Sequence, residues 1–397
     1  VNWAHFELAS EKAELSAICS LPGITFKQAR DLLVLFGSAR GAWDAVSRGY
    51  DAGPPDSKLE IWRSWAEGVE PASRMAAIER DGTRLLAIGE PRYPPPLAEI
   101  AEPPITLYLR GSLPAAEAPC LAVVGSRKAT PYGLEAARYI AGGLSRAGAV
   151  VASGAAYGVD SAAHRGALEQ GGFTIAVLGC GPDIAYPRSH AGLLREIEEN
   201  GCVLSEYPPG TPPLKRNFPA RNRIIAGLSR GVVVIEAAEG SGALLTAEVA
   251  LSAGREIFAV PGGVFSRNSA GTNALIRNGA ALARSPEDVL EELGLAESSA
   301  RGARGRPGPR QEELPLESSV ERLLLEALAN GLTDPHDIAD RMGLSTIKAI
   351  AGLSRLEVSG LVRRGPGGVY QGVAPRSGKV NPGTRDGAAP QSRSMRK

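Results

Sequence analysis

The chain has 397 residues, enough for two or three domains, and a formal net charge of +1 from 44 basic and 43 acidic residues. A balance that close excludes a protein coated in basic surface, so any nucleic-acid site has to be a local patch. The four cysteines, Cys19, Cys120, Cys180 and Cys202, are scattered without a C-x-x-C pair, and no apolar run reaches the roughly 18 residues of a membrane helix, so neither a zinc site, a disulfide framework nor a membrane span is expected.

The opening VNWAHFELAS lacks a basic stretch followed by an apolar one, so no secretory signal is expected and a reducing cytoplasm is the simplest setting. Short helices are predicted between Glu14 and Val46. LSAICSLPGI and FKQARDLLVLFGSARGAWDAV carry apolar residues at helical spacing, broken at Pro22-Gly23 and Gly37. This pattern, within residues 1–75, fits a helix-hairpin-helix or sterile-alpha-motif module, and equally a small helical domain with no ligand. Within residues 76–118, RYPPPLAEIAEPPITLYLRG is too rich in proline for a core helix and reads as an extended connecting strap.

From Leu121 the pattern changes. LAVVGS, AVVASG, FTIAVLGCG, CVLSEYPPG, GVVVIEAAEGSG and REIFAVPGG are short β-branched runs, most followed by a helical stretch. Runs without polar alternation are buried on both faces, and their alternation with helices implies βαβ units. The predicted fold of residues 119–293 is therefore α/β, a Rossmann-like doubly wound parallel sheet. ESSARGARGRPGPRQEE, within residues 294–315, reads as a flexible linker. Residues 316–373 give three helices and a hairpin with a Pro-Gly-Gly turn, the pattern of a winged helix. Residues 374–397 hold six cations and one acid with few apolar residues, which predicts a disordered basic tail.

In an open parallel sheet, ligands bind beyond the carboxyl ends of the strands. Small-residue loops stand at those ends: Gly125-Ser126-Arg127, Ser153-Gly154 through Gly158, Gly179-Cys180-Gly181, Ser241-Gly242 and Pro261-Gly262-Gly263. Glycine lets an anion approach the backbone, and N–H groups at a helix start favour phosphate. Each loop alone is weak evidence, because tight strand-to-helix turns need glycine for steric reasons. Neither a G-x-G-x-x-G fingerprint nor a G-x-x-x-x-G-K-[ST] loop is present.

KRNFPARNR, Lys215 to Arg223, packs four cations and one aromatic ring into nine residues, and no Asp or Glu occurs from Tyr207 to Ile235. The segment follows the fourth strand of the sheet and runs into its helix. Lys215, Arg216, Arg221 and Arg223 are therefore expected near the same crevice edge, with Asn222 among them. Cations there would contact phosphates, and Phe218 would stack an unpaired base. Arg221 and Arg223 read equally well as internal tethers paired to Glu206 or Glu236, and Phe218 as packing at a helix start.

The blocks VVGSRKATPYG, SGAAYGVDSAAHRGAL, TIAVLGCGPDIAYP, LSEYPPGTPPLKRNFPARNRIIAGLS, VVVIEAAEGSGALLTAEVALSAGREIFAVPG and NSAGTNALIRNGA, in this order, closely resemble the DNA-processing protein A (DprA, or Smf) family across the whole sheet domain. The resemblance implies a cytoplasmic protein without enzymatic turnover and without a cofactor or metal. It would bind single-stranded DNA, protect it, and help load the RecA recombinase in natural transformation, as a homodimer through the sheet domain. Arg127 matches the arginine of the GSR block, Arg188 the basic position after Tyr-Pro, and Lys215 and Phe218 the basic and aromatic positions of the fourth block. Gly125, Ser126, Ser153, Gly154, Ser241 and Gly242 complete the expected DNA-binding set. The family pattern carries Asn where this chain has His190.

Two other readings compete. Related sheet domains cleave nucleotides with a Pro-Gly-Gly-x-Gly-Thr loop and a following glutamate. Here the loop reads Pro261-Gly262-Gly263-Val264-Phe265, with no glutamate close behind. Asp160, Asp183 and Glu248 are nominal general bases, but they read equally as a helix cap and solvated acids, and His164 as a core or helix-surface residue. A transcription factor acting through the winged helix would rely on Lys348, Arg355, Arg363 and Arg364, which is sparse for a phosphate-contacting reader.

Overall fold

The computed structural model describes residues 3, 6–48, 57–295, 319–329, 331–344, 346–358, 361–365 and 369–372. It divides into two units, Val1–Arg306 and Pro307–Lys397.

The first unit begins with helices α1 (Lys12–Cys19), α2 (Phe26–Phe36), α3 (Ala39–Arg48), α4 (Ser57–Glu67) and α5 (Pro71–Arg80). The Pro22-Gly23 break separates α1 from α2, whose start is fixed by a capping box in which Thr25 and Gln28 satisfy each other's backbone N–H groups. Gly37 ends α2 in the left-handed conformation at φ 71°, a backbone geometry glycine adopts without steric cost.

Next come β1 (Arg84–Ala87), α6 (Pro95–Ala98) and β2 (Thr106–Gly111). The stretch expected to be an extended strap thus adds two strands to the sheet, β2 pairing with β1 and β6 antiparallel. Its prolines sit in the connection and in the short α6, where a missing N–H costs little, while RLLA and TLYLRG carry the apolar residues that pair.

The alternating region follows as β3 (Cys120–Val124), α7 (Pro131–Arg146), β4 (Val150–Ser153), α8 (Val159–Glu169), β5 (Thr174–Leu178), α9 (Ala191–Asn200), β6 (Gly201–Ser205), α10 (Asn217–Leu228), β7 (Gly231–Val234), α11 (Gly242–Ser252) and β8 (Glu256–Ala259). The two-residue β9 (Ala281–Leu282), too short to signal itself in sequence, is flanked by α12 (Ala270–Arg277) and α13 (Pro286–Glu292). Strand order is β1-β2-β6-β5-β4-β3-β7-β8-β9, with every neighbouring pair from β6 to β9 parallel.

Strands β3 to β7 are buried at every residue, as continuous apolar runs require. Alternation along β3 sends Leu121 and Val123 into a core with Ile140 and Leu144 of α7 and Val159 of α8. Ala122 and Val124 face the other way, into a core with Ile224 and Ile225 of α10. That second core runs on without a break through Tyr108 to Leu15 and Ile18 of α1, so the N-terminal helices share the hydrophobic interior of the sheet.

From β3 the chain winds outward through β4, β5 and β6, then returns to β7 on the other side of β3. The β3–β7 pair is the topological switch point. Loops leaving these two strands diverge to opposite faces and open a crevice beyond their carboxyl ends.

In the second unit, α14 (Ser319–Ala329), α15 (Pro335–Met342) and α16 (Thr346–Val358) precede an antiparallel ribbon, β10 (Val362–Arg364) and β11 (Tyr370–Gly372). Leu324, Ile338, Leu353, Val362 and Tyr370 share one core, giving the winged-helix arrangement. The wing's Pro-Gly-Gly turn at 366–368, all but the first two residues of the expected linker, and the basic tail lie outside the described residues.

Candidate nucleic-acid interface

The loop after β3 is held by Glu236, the second residue after β7. Its carbonyl accepts from the Ser126 N–H at 2.7 Å, and its buried carboxylate accepts from the Thr130 N–H at 2.9 Å and the Thr130 hydroxyl at 2.6 Å. Thr130 also caps α7 by accepting from the Gly133 N–H, a bond worth about 1 kcal/mol in such caps. On the loop's other side the Asn268 side chain donates to the Lys128 carbonyl at 2.9 Å. The loop is thus tied down at both ends, while Arg127 and Lys128 at its tip are exposed.

Facing this loop, α10 begins within the basic segment. Asn217 is buried and donates its amide to the Gly179 carbonyl at 3.0 Å, which fixes the helix start. Phe218 follows in the first turn of α10, not in the loop before it, and is partly buried. Its ring lies so close to Gly179 that an added Cβ there would meet it at 3.0 Å, which accounts for a glycine at the end of β5. The Arg127 guanidinium stands 5.5 Å from the centroid of the Phe218 ring, and the Tyr186 ring packs on Phe218 at 5.3 Å. Lys215 is exposed, with no ion pair to it among the described residues.

These groups line an open crevice of about 700 Å³ at the switch point, together with Ser126, Asn222 and the N-terminal residues of α11, Ser241 and Gly242. The Ser241 hydroxyl is buried and has no hydrogen-bond partner among the described residues, and a Cβ at Gly242 would meet open space. Free N–H groups at a helix start attract anions. A second, smaller compartment of about 400 Å³ adjoins it, lined by Arg127, Phe218, Tyr157, Tyr186, Pro187 and Arg188.

Some residues expected at the site contribute to its walls without offering a free side chain: Arg221 lines both compartments, Gly125 the larger and Gly154 the smaller. Arg221 is 3% exposed, and its guanidinium donates to the Val177 carbonyl within the sheet. It lies beside the buried Asp160, whose carboxyl burial pushes above the ordinary range against the pull of Arg221. Arg223 pairs with Glu206 at 2.6 Å, both side chains nearly buried. Of the two alternatives, internal tether describes both arginines in the structure. The Glu206 partner is the expected one, whereas Arg221 meets Val177 and Asp160 and not Glu236. Ser153 is fully buried and donates to the Val123 carbonyl at 2.7 Å. Gly154 is buried too, and a Cβ on it would collide with the Arg221 guanidinium. Gly125 has no room for a side chain beside Val159.

The nominal catalytic acids are dispersed. Asp160 is the one carboxylate in the crevice wall among the described residues, and Arg221 stands over it. Asp183 accepts from the Gly210 N–H at 3.0 Å and Glu248 projects from α11. His164 is fully buried, with Nδ1 2.8 Å from the Thr174 hydroxyl, and burial holds its imidazole down to about 3. Because that hydroxyl donates to the Val151 carbonyl, Nδ1 carries the proton that His164 gives it. Among the described residues no cluster of His, Cys, Asp and Glu could hold a metal ion, and no helix is long and apolar enough to cross a membrane.

Reading the sequence missed Lys128, Tyr157, Tyr186 and Glu236. Lys128 and both tyrosines stand in the very loops already singled out, next to named residues. Glu236 was weighed as an arginine partner, and nothing in the sequence reveals that it serves Thr130 instead.

Residues 84–294 match the family model of DNA recombination-mediator protein A, and residues 307–368 that of the DprA winged helix domain. The chain is 38% identical to Protein Smf of Escherichia coli over 299 residues, 75% of this chain and 79% of that protein. It is 47% identical to DNA processing protein DprA of Streptococcus pneumoniae over 201 residues, 51% of this chain and 71% of that protein. The X-ray structure of the Streptococcus pneumoniae protein superposes with a TM-score of 0.60 at 36% identity, covering 69% of this chain and 95% of that one. With the sheet domain and the winged helix both matched in order, the chain belongs to the DprA/Smf family of DNA recombination-mediator proteins.

Proposed function

We propose that the switch-point crevice binds single-stranded DNA, and that the protein protects incoming strands and loads the RecA recombinase on them during natural transformation. The observation that carries this reading is the unpaired charge. Arg127, Lys128 and Lys215 stand exposed around the crevice, and among the described residues its wall holds no carboxylate but the buried Asp160 opposite Arg221. An extended strand offers phosphates to such cations at every step and bases to a ring in the crevice wall, whereas a duplex keeps its bases stacked inside. Arg188 adds a cation beside Phe218.

The protein acts as a binder without turnover, holding a strand through the cations and aromatic ring that line the crevice. The protein works in the cytoplasm as a homodimer through the sheet domain, and the winged helix supplies a protein contact or a weak DNA contact. Competition between labelled single strands and duplexes of equal length at fixed salt tests the core of this. Single strands should win by at least tenfold. Equal affinity for the duplex would reject the crevice reading, and release of base or phosphate from nucleotides, abolished by a crevice substitution, would establish an enzyme instead.

A further inference from the structure

The smaller compartment contains two large aromatic side chains that no core claims. Tyr157 is 51% exposed and Tyr186 is 44% exposed. Tyr157 stands on the short connection after β4, and Tyr186 on the longer one after β5. Exposed aromatics are ordinary when scattered, but these two meet in one concavity with Arg127, Phe218 and Arg188.

Tyr157 is also held in place. Its ring meets the edge of His190 at 4.9 Å and 74°, and its hydroxyl lies 3.0 Å from the Ser189 hydroxyl. His190, nearly buried, has Nδ1 2.9 Å from the Ala155 carbonyl, and so donates to it. Ala155 itself has φ 52°, a positive value at a residue with a Cβ. Conformations of this kind cost free energy and persist where the surroundings over-determine them, often at ligand sites. His190, at the position where the family pattern carries Asn, therefore fixes both ends of the Ala155–Tyr157 turn. The side chain presented by this constrained turn is an aromatic ring half open to solvent.

We propose that Tyr157 and Tyr186 form a second nucleobase-stacking subsite, occupied by a base of the same strand whose phosphates cross the main crevice. This rests on the single-strand reading above. Two observations favour a base over another apolar occupant. The compartment is continuous with the crevice through Arg127 and Phe218, which line both. Its lining also includes two exposed cations, Arg127 and Arg188, and no acid among the described residues. Aromatic rings interleaved with arginines are the arrangement that holds unpaired bases without reading their identity.

The test uses the full chain and a labelled oligodeoxythymidylate in which one abasic unit is walked along the strand. In the native protein, abasic units should weaken binding at two separate positions. Tyr157→Ala should weaken binding of the intact oligonucleotide about tenfold at unchanged salt dependence, and should erase the penalty at one of the two positions. Tyr157→Phe, which keeps the ring, should regain most of the loss and restore that penalty. Native affinity in Tyr157→Ala, or an abasic profile identical to that of the native protein, would overturn the second subsite. Lys215→Ala separates the two claims: if it weakens binding while Tyr157→Ala does not, the crevice stands and the subsite falls, and if neither has an effect, both fall.

Discussion

The two halves of KRNFPARNR use the same residue types in opposite ways. Lys215 stands exposed before α10 begins, and Phe218 shows its ring to Arg127 and Tyr186. Arg221 and Arg223, three to five residues further on, are turned inward to Val177 and Glu206. For Arg221 the difference comes from helical geometry, and for Arg223 from its ion pair with Glu206. Arg221, Ile224, Ile225 and Leu228 follow the i, i+3, i+4, i+7 spacing of one helix face, and all four are buried against the sheet. Charge composition describes the segment as a whole, but the point at which α10 starts decides which cations remain available to a ligand.

Substitutions should separate the halves, beginning with the largest effect. Arg221→Ala leaves the Val177 carbonyl without that donor and Asp160 without its counter-charge, so stability should fall by about 3–5 kcal/mol in urea unfolding. If Arg221→Ala unfolds like the native protein but binds DNA poorly, the division between the halves is wrong. Arg223→Ala should cost about 2 kcal/mol, and much less in a Glu206→Gln background, where the charged acceptor has already gone.

A third contrast concerns pH. His164 belongs to the interior, with a folded value of about 3 against an ordinary 6.5. The unfolded chain therefore binds a proton below pH 6.5 that the folded protein refuses, and stability should fall as pH drops from 6.5 towards 3. The loss approaches about 1.4 kcal/mol per pH unit for one proton. His164→Asn should flatten this slope by one proton, and an unchanged slope would show that other groups cause it. The smallest expected effect is that of ending the chain at Arg306, the boundary between the two units. The preference for single strands should survive, with at most a drop in salt-sensitive, non-specific affinity.

Much of this was legible in the sequence. The six β-branched runs are strands, since burial on both faces demands apolar residues without alternation and leaves little else to choose. The crevice was legible as well, because a parallel sheet opens at its carboxyl edge and the small-residue loops mark that edge. The proline-rich stretch concealed β2, which pairs with β6 about a hundred residues away, and with it β1, which among the described residues pairs only with β2. The burial of Ser153 and Gly154 was equally hidden: Ser153 ends β4 and Gly154 opens the loop after it, but Arg221 reaches over from α10 to fill the space beside Gly154. Tyr157 lies in a family-like segment, yet its placement depends on the positive-φ turn at Ala155 and on His190, which the fold brings to it.

Arg127 and Lys215 are crevice cations on this reading, while Arg221 and Arg223 beside them are structural. The decisive measurement is a salt titration of single-stranded oligonucleotide binding by the Arg127→Ala, Lys215→Ala double variant, run beside a thermal melt. The melting temperature should stay close to the native one and binding to any sequence should weaken. The salt dependence should fall by about 0.7 for each phosphate that no longer meets a cation. A folded double variant with native affinity and native salt dependence would show that the strand does not run through this crevice.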